Sequence, residues 1–327
     1  MTKSSYPPPI RKLDPRKDLL AIADLIELCF AESLDQSGRD YIRQLRQVAK
    51  DASSFWIGIS TNHLYAPREG FVWEEGGKII GNLSIFPFQT SQGVEYLIAN
   101  VAVHPDFRRR GIARLLTECA LDSIRERGGR RAWLNVRADN QAAYSLYRQL
   151  DFSERLRRTH WQYLPSSNAF LKQPSQLKRN PSTSLQIRRR TRTEWELQKR
   201  WLLATYPQEY HWHLDFHLDG FAPGFFAWLR GFLNDLRYQH FSILKNQHLI
   251  GVATLQSSAR EGQVLWVACH PQWEDEAFQA FLSHYLNPQA IRGKISLDYP
   301  AQRAELILQE FGFTPVQTLI WMQHSLT

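Results

Sequence analysis

VAVHPDFRRRGIARLL, residues 101–116, is the stretch on which the reading of this chain turns. An apolar run reaches His104-Pro105, passes into a basic turn with one glycine, and resumes with Ile112, Leu115 and Leu116 at helical spacing. The pattern predicts a strand, a turn and a helix. The first N–H groups of a helix lack intrahelical partners and the macrodipole adds partial positive charge there, so such a turn suits a phosphate. Gly111 has no Cβ to hold an anion away, Ala113 leaves room over the first turn, and Arg108, Arg109 and Arg110 add charge. Read alone, the three arginines are better taken as a solvated surface run and Gly111 as an ordinary turn residue.

Working outward, residues 10–13 read as a short strand and 19–30 as an amphipathic helix. Two strand-like runs, 71–73 and 78–86, meet at Glu75-Gly76-Gly77, where glycines tolerate the positive φ of a tight turn. Residues 96–103 are almost wholly apolar, which predicts a strand buried on both faces. A helix over 111–126, a strand over 131–136 and a helix over 140–150 follow. The stretch PSSNAFLKQPSQLKRNPSTS, residues 165–184, lacks hydrophobic periodicity and reads as a linker. The expected division is a first domain over 1–164, a linker over 165–184 and a second domain over 185–327, which suits a 327-residue chain.

The two halves repeat each other. Ile10-Arg11-Lys12 matches Ile187-Arg188-Arg189 at an offset of 187 − 10 = 177, and FVWEEGGKIIG from Phe71 matches FSILKNQHLIG from Phe241 at 241 − 71 = 170. His104-Pro105 matches His270-Pro271 at 270 − 104 = 166, and Tyr147 falls opposite Leu308 at 308 − 147 = 161. Four matches in one order, with shrinking offsets, predict a duplicated fold.

Residues 108–113 fit the pattern Arg/Gln-x-x-Gly-x-Gly/Ala, and a second run, LNVRADNQAAYSLYRQLDF, occupies residues 134–152. Together these resemble the acetyl-CoA motifs of the GNAT superfamily of N-acetyltransferases over about residues 10–164, and the second run is similar to that of the ribosomal-protein alanine N-acetyltransferases. The resemblance implies an α/β (α+β) fold of two tandem GNAT-like domains, each a mixed, mostly antiparallel sheet flanked by helices with splayed fourth and fifth strands. It implies an acyltransferase using acetyl-CoA as co-substrate, bound by Arg108, Arg109, Arg110, Gly111, Ile112, Ala113 and Arg114, with pantetheine along the main chain of Val101, Ala102 and Val103. Asn140 would contact the cofactor, and Tyr147 would stand beside its sulfur as a general acid. Asp151 departs from the usual glycine, but Asp also tolerates the left-handed conformation of that helix cap. A base is harder to place. Ribosomal-protein relatives carry a glutamate where this chain has Asn135, and histone-type relatives one that aligns with Leu97. Glu95, on the face of Leu97 by strand alternation, is the remaining candidate, acting through water, against its reading as an exposed strand-end carboxylate. An α-amine, with a pKa near about 7.7–8.0, is partly neutral at pH 7 and needs little help.

At the place of residues 108–113 the second half has Glu274-Asp275-Glu276-Ala277-Phe278-Gln279, three acids for three arginines, and Leu308 replaces Tyr147. The second domain is therefore expected to be degenerate and non-catalytic. Three scattered cysteines, Cys29, Cys119 and Cys269, give no disulfide or zinc framework, and His211, His213 and His217 lack a supporting ligand set, so no metal is expected. No signal-peptide core and no span near about 18 apolar residues occur, which predicts a cytoplasmic protein without a membrane partner. A net charge of +8 suits an anionic cofactor, nucleic acid or mere solubility. The expected activity is transfer of an acetyl group to a primary amine, the acceptor being a protein N-terminus, a lysine or a small amine. The alternatives are a non-catalytic CoA-binding sensor or scaffold and an RNA- or ribosome-associated protein, although nucleic acid is not the expected partner.

Overall fold

Asp14 and Pro15 start the first helix. The Asp14 side chain accepts from the Arg16 amide and Pro15 occupies the first turn, where its missing N–H costs nothing. The helix α1, Pro15–Phe30, buries Leu19, Ile22, Ala23, Leu25 and Ile26, and packs with Ile42, Leu45 and Val48 of α2, Gln36–Lys50, over Val72. The computed structural model describes residues 9–31, 36–50, 66–90, 92–165, 185–211, 214, 216–224, 235–258, 262–286 and 293–326.

Contacts divide the chain into two units, Met1–Arg155 with Trp321–Thr327, and Leu156–Ile320. In the first, β1 (Ile10–Lys12), β2 (Glu69–Glu75), β3 (Lys78–Thr90) and β4 (Gly93–Val103) pair antiparallel in that order. The strand β5, Arg131–Arg137, joins β4 in parallel, as the intervening helix α3, Ile112–Glu126, requires. Helix α4, Gln141–Gln149, leads to β6, Ser153–Tyr163.

The second unit takes most of β6, against which lies β11, Ile295–Pro300, antiparallel from Pro300↔Arg158 to Ile295↔Tyr163. It continues through β10 (Gly262–Cys269), β9 (His248–Ser258), β8 (Leu236–Lys245) and β7 (Leu185–Arg189). Among the described residues its helices are α5 (Trp195–Thr205), α6 (Leu218–Phe221), α7 (Glu274–Tyr285) and α8 (Glu305–Glu310). The last strand, β12, is Thr314–Ser325. Residues 156–163, placed with the first domain by the sequence reading, count in the second unit, and 321–327 count in the first. Most of the expected linker lies outside the described residues.

The duplicated fold is borne out in register. Ile10 pairs with Trp73 and Ile187 with Ile243, and the strand bulges after Trp73 in one unit and after Ile243 in the other, at 243 − 73 = 170. One expectation needs correcting. The apolar run 96–103 is not buried throughout: Tyr96, Ile98 and Ala102 are, whereas Leu97, Ala99, Val101 and Val103 are half-buried. The pairing with β5 ends at Leu97, so beyond it β4 is flanked on one edge.

Candidate functional site

The turn between β4 and α3 is held open by its backbone. His104 caps a short 3-10 turn, Pro105–Phe107, by accepting from the Asp106 amide. Arg109 and Gly111 then adopt left-handed conformations, at φ 66° and 77°. Gly111 caps α3, whose helical run starts at Ile112. Added at Gly111, a Cβ would meet nothing within 4 Å, so the glycine answers the backbone conformation and keeps the approach clear rather than relieving a clash. The N–H groups of residues 109–114 donate to no group among the described residues. A run of unspent donors at a helix N-terminus is an anion-binding geometry.

The arginines take different positions. Arg108 donates from Nε to the Val103 carbonyl at 3.2 Å, which also accepts from the Cys29 thiol at 3.3 Å. Arg110 lies 4.7 Å over the Phe107 ring, and Arg109 is exposed. Arg114 turns aside to Gln149, 2.6 Å away, and Glu118, which ties the first turn of α3 to the end of α4. Ile112 is buried and Ala113 half-buried beneath the turn.

Beside this turn the sheet opens. β4 and β5 pair at Tyr96↔Ala132 and Leu97↔Trp133 and no further among the described residues, which leaves Val101, Ala102 and Val103 without a partner strand on that edge. Asn140 caps α4, its Oδ1 accepting from the Ala143 amide at 3.1 Å, so the amide nitrogen is what it has left to offer. Tyr147 on α4 is 6% exposed, and burial pushes its phenol above the usual value, which keeps it protonated. Its ring meets Phe152 edge-on, and its hydroxyl has no partner among the described residues. Asp151 does adopt the left-handed conformation, at φ 59°.

Glu95 is not an exposed carboxylate. It is 5% exposed, one oxygen accepting from Arg131 at 3.0 Å and from Thr90, the other from the Trp133 indole. Both oxygens are engaged because Glu95 faces β5 where the two strands still pair. Asn135 is half-buried, and no group of three or more metal-ligating side chains occurs among the described residues. His213 lies outside them.

Sequence reasoning missed Asn100. The register of β4 on β3 shifts between Asn82↔Ala102 and Ser84↔Ala99, and within that bulge Asn100 is left-handed at φ 54°. Its carbonyl accepts from Asn82 Nδ2 at 2.9 Å, and its own amide donates to the Tyr41 hydroxyl at 2.6 Å and to Ser84 at 3.3 Å. Tyr41 belongs to α2, and burial pushes its phenol up to about 12. The signal was available: three polar residues, Asn82, Ser84 and Asn100, interrupt apolar strands.

Over 60 residues the chain is 48% identical to the [Ribosomal protein bS18]-alanine N-acetyltransferase of Salmonella typhimurium, covering 18% of this chain and 40% of that protein. It is 34% identical over 90 residues to the N-alpha-acetyltransferase RimI of Mycobacterium tuberculosis, covering 27% of this chain and 55% of that one. It thus spans about half or less of the length of these relatives. A GCN5-related N-acetyltransferase from Sphaerobacter thermophilus superposes with a TM-score of 0.55 at 15% identity, over 98% of this chain and 97% of that one, a likeness of fold. Residues 21–152, which hold β4, the turn, α3 and α4, match the model of the acetyltransferase (GNAT) family, and this part of the chain is a GNAT acetyltransferase domain.

Proposed function

We propose that the first unit is an N-acetyltransferase that transfers the acetyl group of acetyl-CoA to a primary amine by direct attack. The observation that carries this is the open turn: six consecutive backbone N–H groups, residues 109–114, without partners among the described residues, at the start of a helix and beside splayed strands. These donors, with Arg109 and Arg110, would hold the pyrophosphate, and the free edge of Val101, Ala102 and Val103 would pair with pantetheine. Acetyl-CoA supplies the activated acyl group. A backbone N–H near the Asn100 bulge would meet the developing oxyanion, and Tyr147, kept neutral by burial, would give its proton to the departing sulfur. The acceptors that fit are a protein N-terminus, as the relatives' names suggest, a lysine or a small amine. We place the enzyme in the cytoplasm.

A second reading, a CoA-binding protein without turnover, is favoured by one observation: Glu95 is spent in an ion pair, and positions 97 and 135 carry Leu and Asn. Calorimetry with acetyl-CoA on the wild type and on Gly111→Glu tests the site. Micromolar binding at one site, lost in the variant, is expected, and binding that survives the variant would overturn the assignment. Release of CoA thiol with a panel of amines separates the readings, since a protein that binds acetyl-CoA but releases no thiol with any amine would be the sensor.

A further inference from the structure

Tyr147 is placed by packing alone, since its side chain makes no hydrogen bond among the described residues, so the groups behind it decide where its hydroxyl stands. Its ring meets Phe152, which is 0% exposed, with centroids 5.8 Å apart at 64°. On the other side of Phe152 stands His324, at 5.3 Å and 53°. His324 belongs to the last strand, 172 residues beyond Phe152 in sequence (324 − 152), yet residues 321–327 count in the first unit. The segment is hydrogen-bonded there. Leu326 N donates to the Arg130 carbonyl, beside the start of β5, at 2.8 Å, and Ser153 Oγ donates to the Gln323 carbonyl at 3.2 Å.

The same device occurs in the second unit. Phe313 stands at the position of Phe152 (313 − 152 = 161), and Tyr163 of β6 at that of His324 (324 − 163 = 161). Their rings lie 5.5 Å apart. Each unit therefore sets, against the aromatic residue that follows its last helix, a side chain from the final strand of the other half. The repetition at one offset makes the exchange a property of the architecture rather than an accident of the terminus.

We infer that the C-terminal strand completes the acetyltransferase unit and that His324 is a positioning residue, holding Phe152 against Tyr147. The second half then has a task even without a cofactor site, because it carries the strand that the first unit needs. The positioning role rests on Tyr147 as the proton donor proposed above; the structural role of the strand does not.

Two measurements on the full chain test this. Hydrogen exchange on the free wild type should show the amides of residues 322–326 protected as strongly as those of β5, and exchange at the rate of a fraying end would overturn the strand's role. His324→Ala and His324→Phe, each made with Tyr147 and with Tyr147→Phe, should then be compared for acetyl-CoA affinity and thiol release, using the best amine from the panel. His324→Ala should slow release about tenfold with affinity within about twofold, His324→Phe should restore most of the rate by replacing one ring with another, and neither should matter once Tyr147 is Phe. An equal fall in both backgrounds, or no fall in either, would overturn the positioning role. Unchanged release by Tyr147→Phe alone would instead remove the acid reading, and slow exchange of the last strand would still stand.

Discussion

At the end of the fourth strand the two units run alike for four residues and then part. His104 and His270 both donate their backbone N–H, to Ile80 and Ile250, at 2.8 Å, and both rings accept from the amide two residues on at 3.3 Å. Each leads a short 3-10 turn, Pro105–Phe107 and Pro271–Trp273. In the first unit residues 108–111 then open, with two left-handed residues, before α3 starts at Ile112. In the second, α7 starts at once at Glu274, so residues 274–277 are already helical. The residues over which the first turn opens correspond to residues already inside a helix in the second. Acids replace the arginines and are themselves satisfied: Glu274 by Arg303 and Tyr299, Glu276 by Lys245. The β bulge is gone as well, since β10 pairs with β9 without a shift from Gly262 to Cys269. The two turns thus differ in backbone, in charge and in the neighbouring bulge, and the three differences fall together.

The largest expected effect comes from making the first turn resemble the second. A non-glycine residue at 111 meets a left-handed conformation costing about 1–2 kcal/mol, and a carboxylate there repels a phosphate by about 1 kcal/mol or more even in a water-like dielectric. Gly111→Glu should raise the acetyl-CoA Kd by at least about a hundredfold, while Gly111→Ala, which lacks the charge, should raise it by about tenfold. Equal effects of the two would mean that charge plays no part.

Tyr147→Phe, which imitates Leu308 of the second unit in removing the hydroxyl, should leave acetyl-CoA affinity intact and slow thiol release by about a hundredfold, the lower end for a general acid. Because burial raises the phenol above its ordinary value near 10, the wild-type rate should climb with pH as the amine loses its proton and show no descending limb up to pH 10. A limb falling below pH 10 and absent from the Phe variant would show a phenol titrating at an ordinary pKa, against the burial assigned to it.

The bulge offers a smaller and more selective test. Asn100→Val disfavours the left-handed conformation, whereas Asn100→Gly keeps it and loses the bonds to Tyr41 and Ser84. If conformation matters most, Val should slow thiol release by about tenfold and Gly by about threefold, at 1–3 kcal/mol for a strained backbone. The reverse order would assign the bulge's role to its hydrogen bonds.

Much of this was legible in the sequence, and what escaped had physical reasons. The element order, the repeat and the turn follow from periodicity, a glycine and a charge run, all local signals. Asp151 could be read as a left-handed cap because its surroundings name the cap. The polarity of Asn100 stood out in its apolar strand, but its left-handed conformation did not, since a bulge is one residue more on one strand than on its neighbour, visible only when both are paired. The state of Glu95 depends on Arg131 and Trp133, brought beside it by the short β4–β5 pairing. The exchange of final strands left no trace, because β6 and β12 carry the same pattern whichever unit they join. The second turn could be read as acidic but not as helical, since Glu and Asp in a first turn suit a helix N-terminus and a loop alike.

The smallest effect concerns what the two units kept. Arg11 donates to both oxygens of Asp18, at 2.6 and 2.9 Å, and Arg188 likewise to Glu194, at 2.5 and 3.1 Å, so each first strand is tied to the start of its first helix. Glu194 also accepts from the Thr191 amide at 2.7 Å, closing a capping box, and from Ser242. Burial works against its charge, but the bonds from Arg188, Thr191 and Ser242 prevail and hold the carboxyl down to about 2. A carboxyl more acidic in the folded chain stabilises it fully above the unfolded value, 4.5, and loses that contribution as pH falls from there to about 2. Glu194→Gln should cost about 1 kcal/mol at pH 7, the ordinary worth of a cap, and lower the melting temperature of the second unit by about 2–4 °C. At pH 3 the gap should have narrowed to less than half of that, because the wild-type carboxyl has by then lost most of its advantage. A gap of the same size at both values would mean that Glu194 stabilises the helix by shape and not by charge, and the tie to Arg188 would then be incidental to what the two units share.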